Sequence, residues 1–104
     1  MGMSDEKILQ VLNLYDKIIP KYFVSEFTNE HKLRHTHEMI VKIREFLHDQ
    51  RKEKVMRWLG FVQGVLWSEG IYTIEQLAKH NMPDGAAFSH DAVRQWDKDK
   101  TKVD

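Results

Sequence analysis

Residues 55–67 read Val-Met-Arg-Trp-Leu-Gly-Phe-Val-Gln-Gly-Val-Leu-Trp and form the longest nearly apolar stretch of the chain. Their apolar side chains recur every three or four positions, which is the spacing of one face of an α-helix. We therefore predict a helix over about 51–68, ended by Gly70, because glycine commonly follows the last helical turn. The apolar arc is wide, and a helix that is apolar nearly all round is buried on more than one side. In a chain this small we expect the extra side to be a subunit interface.

Three more helices are predicted around this one. The first covers about 5–19, with Ser4 as a favourable N-cap residue. The second begins at residue 28 or 29 and ends near 49. The last covers about 74–81 and opens with Thr73-Ile-Glu-Gln76, the capping-box pattern in which two side chains satisfy two free backbone N–H groups.

The first and second helices are joined by a connector at residues 20–28. Pro20 cannot continue the first helix, because proline lacks a backbone N–H group. We expect Tyr22, Phe23 and Phe27 to tuck this connector against the core. A short strand is the alternative, although no other segment offers it a partner strand.

These elements predict an all-α fold, a compact bundle of about four helices with a short polar C-terminal tail. Residues 1–83 form the helical domain and 84–104 the tail, in which 90–97 could form one short helix with Trp96 on its apolar side. A chain of 104 residues is one domain's worth and can bury one core.

Composition excludes several functional classes. The 16 basic and 16 acidic residues give a formal net charge of zero, which argues against a wholesale polyanion binder. Without cysteine, the chain has no disulfide, thiol nucleophile, Cys-ligated zinc site or iron–sulfur cluster. The apolar stretch at 55–67 is too short for a membrane span, which needs about 20 residues. With no secretory leader expected either, we predict a cytoplasmic protein that does not contact membranes.

A cluster of basic residues marks the start of the third helix. Cations in a first helical turn oppose the helix dipole, but an anion docked there would be attracted by cations, dipole and free N–H groups together. A neighbouring tryptophan offers a stacking face for a nucleotide base. The candidate anion-binding residues are Arg51, Lys54, Arg57 and Trp58. We expect Lys52, which is out of phase with them, to point to solvent. The alternatives are an ordinary solvated turn with an ion pair between Glu53 and Arg57, or a surface for an acidic protein partner.

Gly60 and Gly64 lie four positions apart inside the apolar helix. Each costs roughly 0.5–1 kcal/mol relative to alanine, so we expect a close backbone approach to explain them. Two partners are possible, the first helix of the same chain or the same helix of a second copy. The second predicts a homo-oligomer with an interface at Gly60, Gly64 and Trp67. Gln63 beside them needs a hydrogen-bond partner if it is buried.

Histidine spacing on the second helix suggests a weak metal-site candidate. His31, His35 and Glu38 follow one another at one-turn spacing and share a helix face. Lys32 stands where the His-Glu-x-x-His zinc motif requires glutamate, so that motif is absent. A solvated helix face is the alternative. We predict no catalytic residue and no cofactor.

The stretch Lys54-Val-Met-Arg-Trp-Leu-Gly-Phe-Val-Gln-Gly-Val-Leu-Trp67, followed by Gly70-Ile-Tyr-Thr-Ile-Glu-Gln76, resembles small uncharacterised accessory proteins of tailed bacteriophages. In those proteins an Arg-Trp-Leu-Gly-Phe-x-Gln-Gly block, here residues 57–64, precedes a short capped helix. The resemblance covers roughly residues 38–83. It implies a protein that acts in the bacterial cytoplasm during infection, in host takeover or against host defence.

The leading hypothesis is therefore a non-enzymatic protein that binds and neutralises a host factor or its nucleotide signal. Its partners would be a second copy of the chain and a host protein or a phosphate-bearing small molecule. Two other classes remain open. One is a sequence-tolerant nucleic-acid binder that uses the basic cluster, which the zero net charge disfavours. The other is a metal-dependent enzyme at His31, His35 and Glu38.

Overall fold

The computed structural model describes residues 3–82, and 76% of these residues are helical. They contain four α-helices, one short 3-10 helix and no strand. The elements are α1 (Asp5–Ile18), a 3-10 turn (Ile19–Tyr22), α2 (Glu30–His48), α3 (Lys52–Ser68) and α4 (Ile74–His80). The all-α prediction is confirmed, and each helix ends within two residues of its predicted bound. The predicted tail at 84–104, with its short helix at 90–97 and Trp96, lies outside the described residues.

The α2–α3 hairpin is the centre of the fold. Phe46 near the end of α2 contacts Trp58 near the start of α3, and Lys32 at the start of α2 pairs with Glu69 just after α3. These contacts at opposite ends show that the two helices run antiparallel. The corner between them is tight. The N–H of Arg51 donates to the carbonyl of Phe46, and Gln50 adopts the left-handed conformation with φ +61° that usually selects glycine.

The core lies between α1 and the hairpin. Its side chains come from helical positions spaced three or four apart, as the sequence pattern predicts. The most deeply buried apolar residues are Ile8, Leu12, Tyr15, Ile19, Leu33, Ile40, Ile43, Val55, Leu59, Val62 and Leu66. On α3 this core covers only one side, since Phe61 stays 58% exposed and Trp67 53% exposed. Across residues 3–82, none of the helices is both long and apolar enough to cross a membrane.

Local hydrogen bonds explain where most of the helices begin. The side chains of Ser4, Asn29 and Thr73 each accept a bond from a backbone N–H three positions later. At Thr73 the bond is reciprocated by the side chain of Gln76, so the predicted capping box is complete. By contrast, Arg51 at the start of α3 makes no side-chain cap hydrogen bond.

The connector at residues 20–28 departs from its prediction in one residue. Tyr22 and Phe23 pack against the core as expected, because the 3-10 turn continues the spiral of α1. Phe27, expected to do the same, is 91% exposed. The backbone bends between Tyr22 and Thr28, where the hydroxyl of Thr28 donates to the carbonyl of Tyr22. Phe27 lies on the outside of this bend.

Candidate functional site

The basic cluster is divided between two places. Arg51 and Lys54 sit on the ring of Phe46, with the Arg51 Cζ at 5.5 Å and the Lys54 Nζ at 4.4 Å from its centroid. The Lys54 Nζ also lies 5.9 Å from the ring of Trp58, which meets Phe46 edge to face at 4.9 Å. Helical side chains lean toward the N-terminus, so Lys54 points back to the corner where Phe46 lies. Both cations are thus engaged with aromatic rings.

Arg57 takes a different position from these two cations. It lines an open depression of about 290 Å³ between α2 and α3, together with His35, Met39, Trp58 and Phe61. Within residues 3–82 its guanidinium forms no hydrogen bond or ion pair, and the alternative pair with Glu53 is not formed.

Lys52, which was predicted to point to solvent, is about half exposed and in addition makes an ion pair. Its Nζ donates to Asp5 Oδ1 at 2.9 Å and ties the start of α3 to α1. Helical phase on α3 alone cannot reveal this contact, because the partner belongs to another helix. Both side chains are about half exposed, so the pair contributes little to stability.

A second depression, of about 320 Å³, adjoins the first and shares His35, Met39 and Trp58 with it. We call the two together the Trp58 groove. Its lining residues are His35, Glu38, Met39, Lys42, Arg57, Trp58 and Phe61. A third depression of about 370 Å³ continues the groove past His35 and Phe61 to Gly64 and Val65.

Sequence reasoning found only part of this groove. Trp58 and Arg57 were candidates for anion binding, and His35 and Glu38 for metal binding. Phe61 and Met39 were not among the predicted site residues. Their meeting depends on how α2 is rotated against α3, and no local sequence signal reports that rotation.

The metal candidates do not come together. His31, His35 and Glu38 are all exposed on α2, and residues 3–82 contain no group of three or more His, Asp or Glu side chains placed to hold a metal ion. His35 and Glu38 line the groove, but the facing residues on α3 are Trp58 and Phe61, which are not metal ligands. A histidine face on a single helix needs ligands from a second element to close a site.

Gly60 and Gly64 are both exposed, and a Cβ atom built on either would meet no atom of residues 3–82 within 4 Å, apart from its own stretch of helix backbone. The alternative in which they let the first helix approach is therefore not realised. Trp67 lies on the same outer arc of α3 and is more than half exposed. These three residues form a free surface, and the homo-oligomer remains a prediction.

Gln63, on the opposite flank of α3 from the groove, is buried and has the partners that burial requires. Its Nε2 donates to the hydroxyl of Tyr15 at 3.0 Å and to Asn81 Oδ1 at 2.8 Å, and the amide of Asn81 donates back to Gln63 Oε1. The Tyr15 hydroxyl lies 2.7 Å from Nδ1 of His80. Because both Nε2 hydrogens of Gln63 are already donated, the phenol's single hydrogen is free to bond this nitrogen.

Burial shifts the pKa values of two groups in this network in opposite directions. Desolvation raises the pKa of Tyr15 far above its ordinary value, so the phenol keeps its proton. Desolvation, assisted by the charge of Lys7, lowers the pKa of His80 and favours the neutral imidazole that accepts a hydrogen bond. In the described part of the chain no buried side-chain polar atom lacks a partner. The network therefore joins α4 to α1 and α3, with every buried side-chain polar atom in it paired.

The chain matches no protein-family model, no curated protein and no solved structure. The resemblance to phage accessory proteins, which residues 54–67 and 70–76 carry, therefore stays a prediction from the sequence.

Proposed function

We propose that this protein is a non-enzymatic binding protein that captures a host factor in the Trp58 groove. The role that the resemblance at residues 57–64 implies, an accessory protein acting in the bacterial cytoplasm during infection, fits such a binder. The observation that carries the proposal is an open groove in which a half-exposed aromatic residue, Phe61, stands beside an arginine without an ionic partner among residues 3–82. Aromatic and arginine side chains are enriched in protein interfaces relative to the rest of a protein surface.

A second candidate ligand is a phosphate-bearing small molecule, and the position of Arg57 favours it. A base could stack on Phe61 or Trp58 while Arg57 and Lys42 contact the phosphate. Only two cations of the groove could contact a phosphate, however, because Arg51 and Lys54 already lie on the Phe46 ring. We therefore favour a protein partner over a nucleotide for this groove.

Self-association is proposed for the outer arc of α3 at Gly60, Gly64 and Trp67, which adjoins the groove and shares Gly64 with its extension. Exposed tryptophan beside two interior glycines is a surface on which a second helix can approach closely. Light scattering at high micromolar concentration tests this directly. A monomer at that concentration contradicts the oligomer and leaves the groove proposal unaffected.

The test of the main proposal is site-specific photo-crosslinking in bacterial cells. A photoreactive phenylalanine analogue at position 61 is compared with the same analogue at position 41, where Val41 is 57% exposed and borders a separate depression on α2. We expect a host protein that crosslinks at 61, does not crosslink at 41, and is lost in the Arg57→Ala variant. Equal products at the two positions would overturn the proposal. A rise in melting temperature with added nucleotides that requires Arg57 would replace it with the nucleotide alternative.

A further inference from the structure

The Trp58 groove and its extension form one elongated channel along the α2–α3 hairpin. His35 lines all three depressions, so they adjoin one another along the hairpin. Along α2 the lining extends from Lys32 to Lys42, about ten residues or about 15 Å of helix. That length corresponds to three helical turns. A small compact ligand would occupy one depression, whereas an extended rod-shaped ligand would occupy all three.

The apolar part of the channel repeats with helical spacing. Trp58, Phe61 and Val65 follow one another along α3 at one-turn intervals and are all at least partly exposed. A helix laid in such a groove contacts it through apolar residues at positions i, i+3 or i+4, and i+7. At the far end Gly64 contributes no side chain, and a Cβ there would meet nothing within 4 Å, so a partner backbone can come close.

Charge around the channel is unevenly distributed. Glu38 is the one acidic residue among its lining residues, all of which belong to residues 3–82. At one end Lys32 is neutralised by Glu69 at 3.0 Å. At the other end Arg57 has no ionic partner in the described chain, and Lys42 has only a loose pair with Glu45 at 3.7 Å. Two cations, Arg57 and Lys42, therefore face a single lining carboxylate, Glu38, at the end beside Trp58.

We infer that the channel takes an amphipathic helix of a protein partner, about three turns long, with acidic residues at the end that lies beside Arg57 and Lys42. This inference rests on the proposed function and adds the chemistry of the occupant. The partner's apolar stripe packs on Trp58, Phe61 and Val65, and its acidic residues meet Arg57 and Lys42. Complementary charge of this kind sets the orientation and the choice of partner.

The test uses two synthetic helical peptides and the full chain. Both peptides are 14 residues long, carry leucine at positions 4, 8 and 11 and a fluorescent label, and differ only in having glutamate or lysine beside the leucines. Binding is followed by fluorescence anisotropy. We expect the glutamate peptide to bind about tenfold more tightly than the lysine peptide, with a difference that shrinks as salt is added.

Two charge-reversal variants make the test specific. Arg57→Glu should reverse the preference between the peptides. Lys17→Glu changes the net charge equally on an exposed position of α1, outside the channel, and should retain the preference of the unaltered chain. Phe61→Ala should weaken both peptides about tenfold, as expected for loss of an aromatic anchor.

Equal affinity for both peptides, or the same effect from Lys17→Glu as from Arg57→Glu, would overturn the inference. If neither peptide binds while position 61 still crosslinks to a host protein, the proposed function stands and the acidic helix is the wrong occupant. If Phe61→Ala instead converts a dimer to a monomer in light scattering, the occupant is a second copy of this chain, and the inference is again wrong.

Discussion

The two flanks of α3 both bring polar and aromatic side chains together, but these side chains have hydrogen-bond partners on one flank and are exposed on the other. On one flank, Gln63 lies in a network with Tyr15 and His80 in which every buried polar group has a partner. On the other, Arg57 and Phe61 border the Trp58 groove, where the cation is unpaired among residues 3–82 and the ring is 58% exposed. The residue type alone, aromatic or polar, therefore does not indicate whether a helix surface is a binding site. What separates a structural site from a candidate binding site is whether the fold already supplies the partners.

The largest contrast is expected between two aromatic residues. Tyr15→Ala should destabilise the protein by about 3–5 kcal/mol, because it leaves a cavity in the core and removes one of the two acceptors of the Gln63 amide group. Phe61→Ala should change the free energy of unfolding by less than about 0.5 kcal/mol, as is usual at exposed positions. Urea denaturation measures both. Similar losses in the free energy of unfolding for the two variants would contradict the view that one flank is structural and the other is free to bind.

A smaller contrast is expected between two glutamines. Gln63→Leu should cost about 1–3 kcal/mol, since it leaves Asn81 without the hydrogen bonds that it makes in the network. The matched control is Gln10→Leu on the exposed face of α1, which should be nearly neutral. Chemical denaturation of the two variants at the same pH tests this. If Gln63→Leu left the free energy of unfolding unchanged, apolar packing alone would stabilise the flank of α3 on which Gln63 lies.

The stability of the flank that contains the network of Gln63, Tyr15 and His80 should also depend on pH. The pKa of His80 is lowered from its ordinary value of 6.5 by burial and by Lys7, and the ring is otherwise faced by Tyr15 and Tyr72. The stability that the neutral ring provides is complete above pH 6.5 and is lost as pH falls below that value toward the lowered pKa. We expect this dependence to be weaker in His80→Gln and retained in His31→Gln. Melting temperatures between pH 7.5 and 5 check the prediction, and equal pH dependence in the two variants would contradict it.

The smallest expected effect concerns the outer arc of α3. Gly60→Ala should stabilise the monomer by about 0.5–1 kcal/mol, because alanine is the better helix former and its methyl group meets open space. Thermal unfolding at low protein concentration measures this. A loss of stability that grows with protein concentration would instead show that a second copy uses the glycine.

Much of the fold could be predicted from local signals. Ser4, Thr73 and Gly70 mark helix ends through short-range hydrogen bonds or backbone conformation, which the sequence displays directly. The requirement that Gln63 be paired could also be predicted, but not its partner Asn81, which lies 18 positions away. Contacts between helices depend on how one helix is rotated against another, and periodicity does not encode this angle.

The candidate site depends even more on such rotations. Lys54 and Arg57 are three positions apart, yet one lies on the Phe46 ring and the other opens onto the Trp58 groove. The cluster of basic residues in the sequence therefore predicted a single anion site, whereas the fold places these residues in two different environments. Phe27 was expected in the core because of its apolar side chain, and a bend in the backbone placed it outside.

The tight corner at Gln50 has a consequence for the order of folding. The two walls of the Trp58 groove are consecutive helices joined by residues 49–51, so bringing them together closes only a short loop. Contacts between neighbours in sequence form early, whereas docking α4 onto Tyr15 joins residues 65 positions apart. We therefore expect amide hydrogens of the hairpin to exchange more slowly than those of α4. Loss of α4 would then leave the groove assembled, and binding there would not depend on the most labile end of the domain.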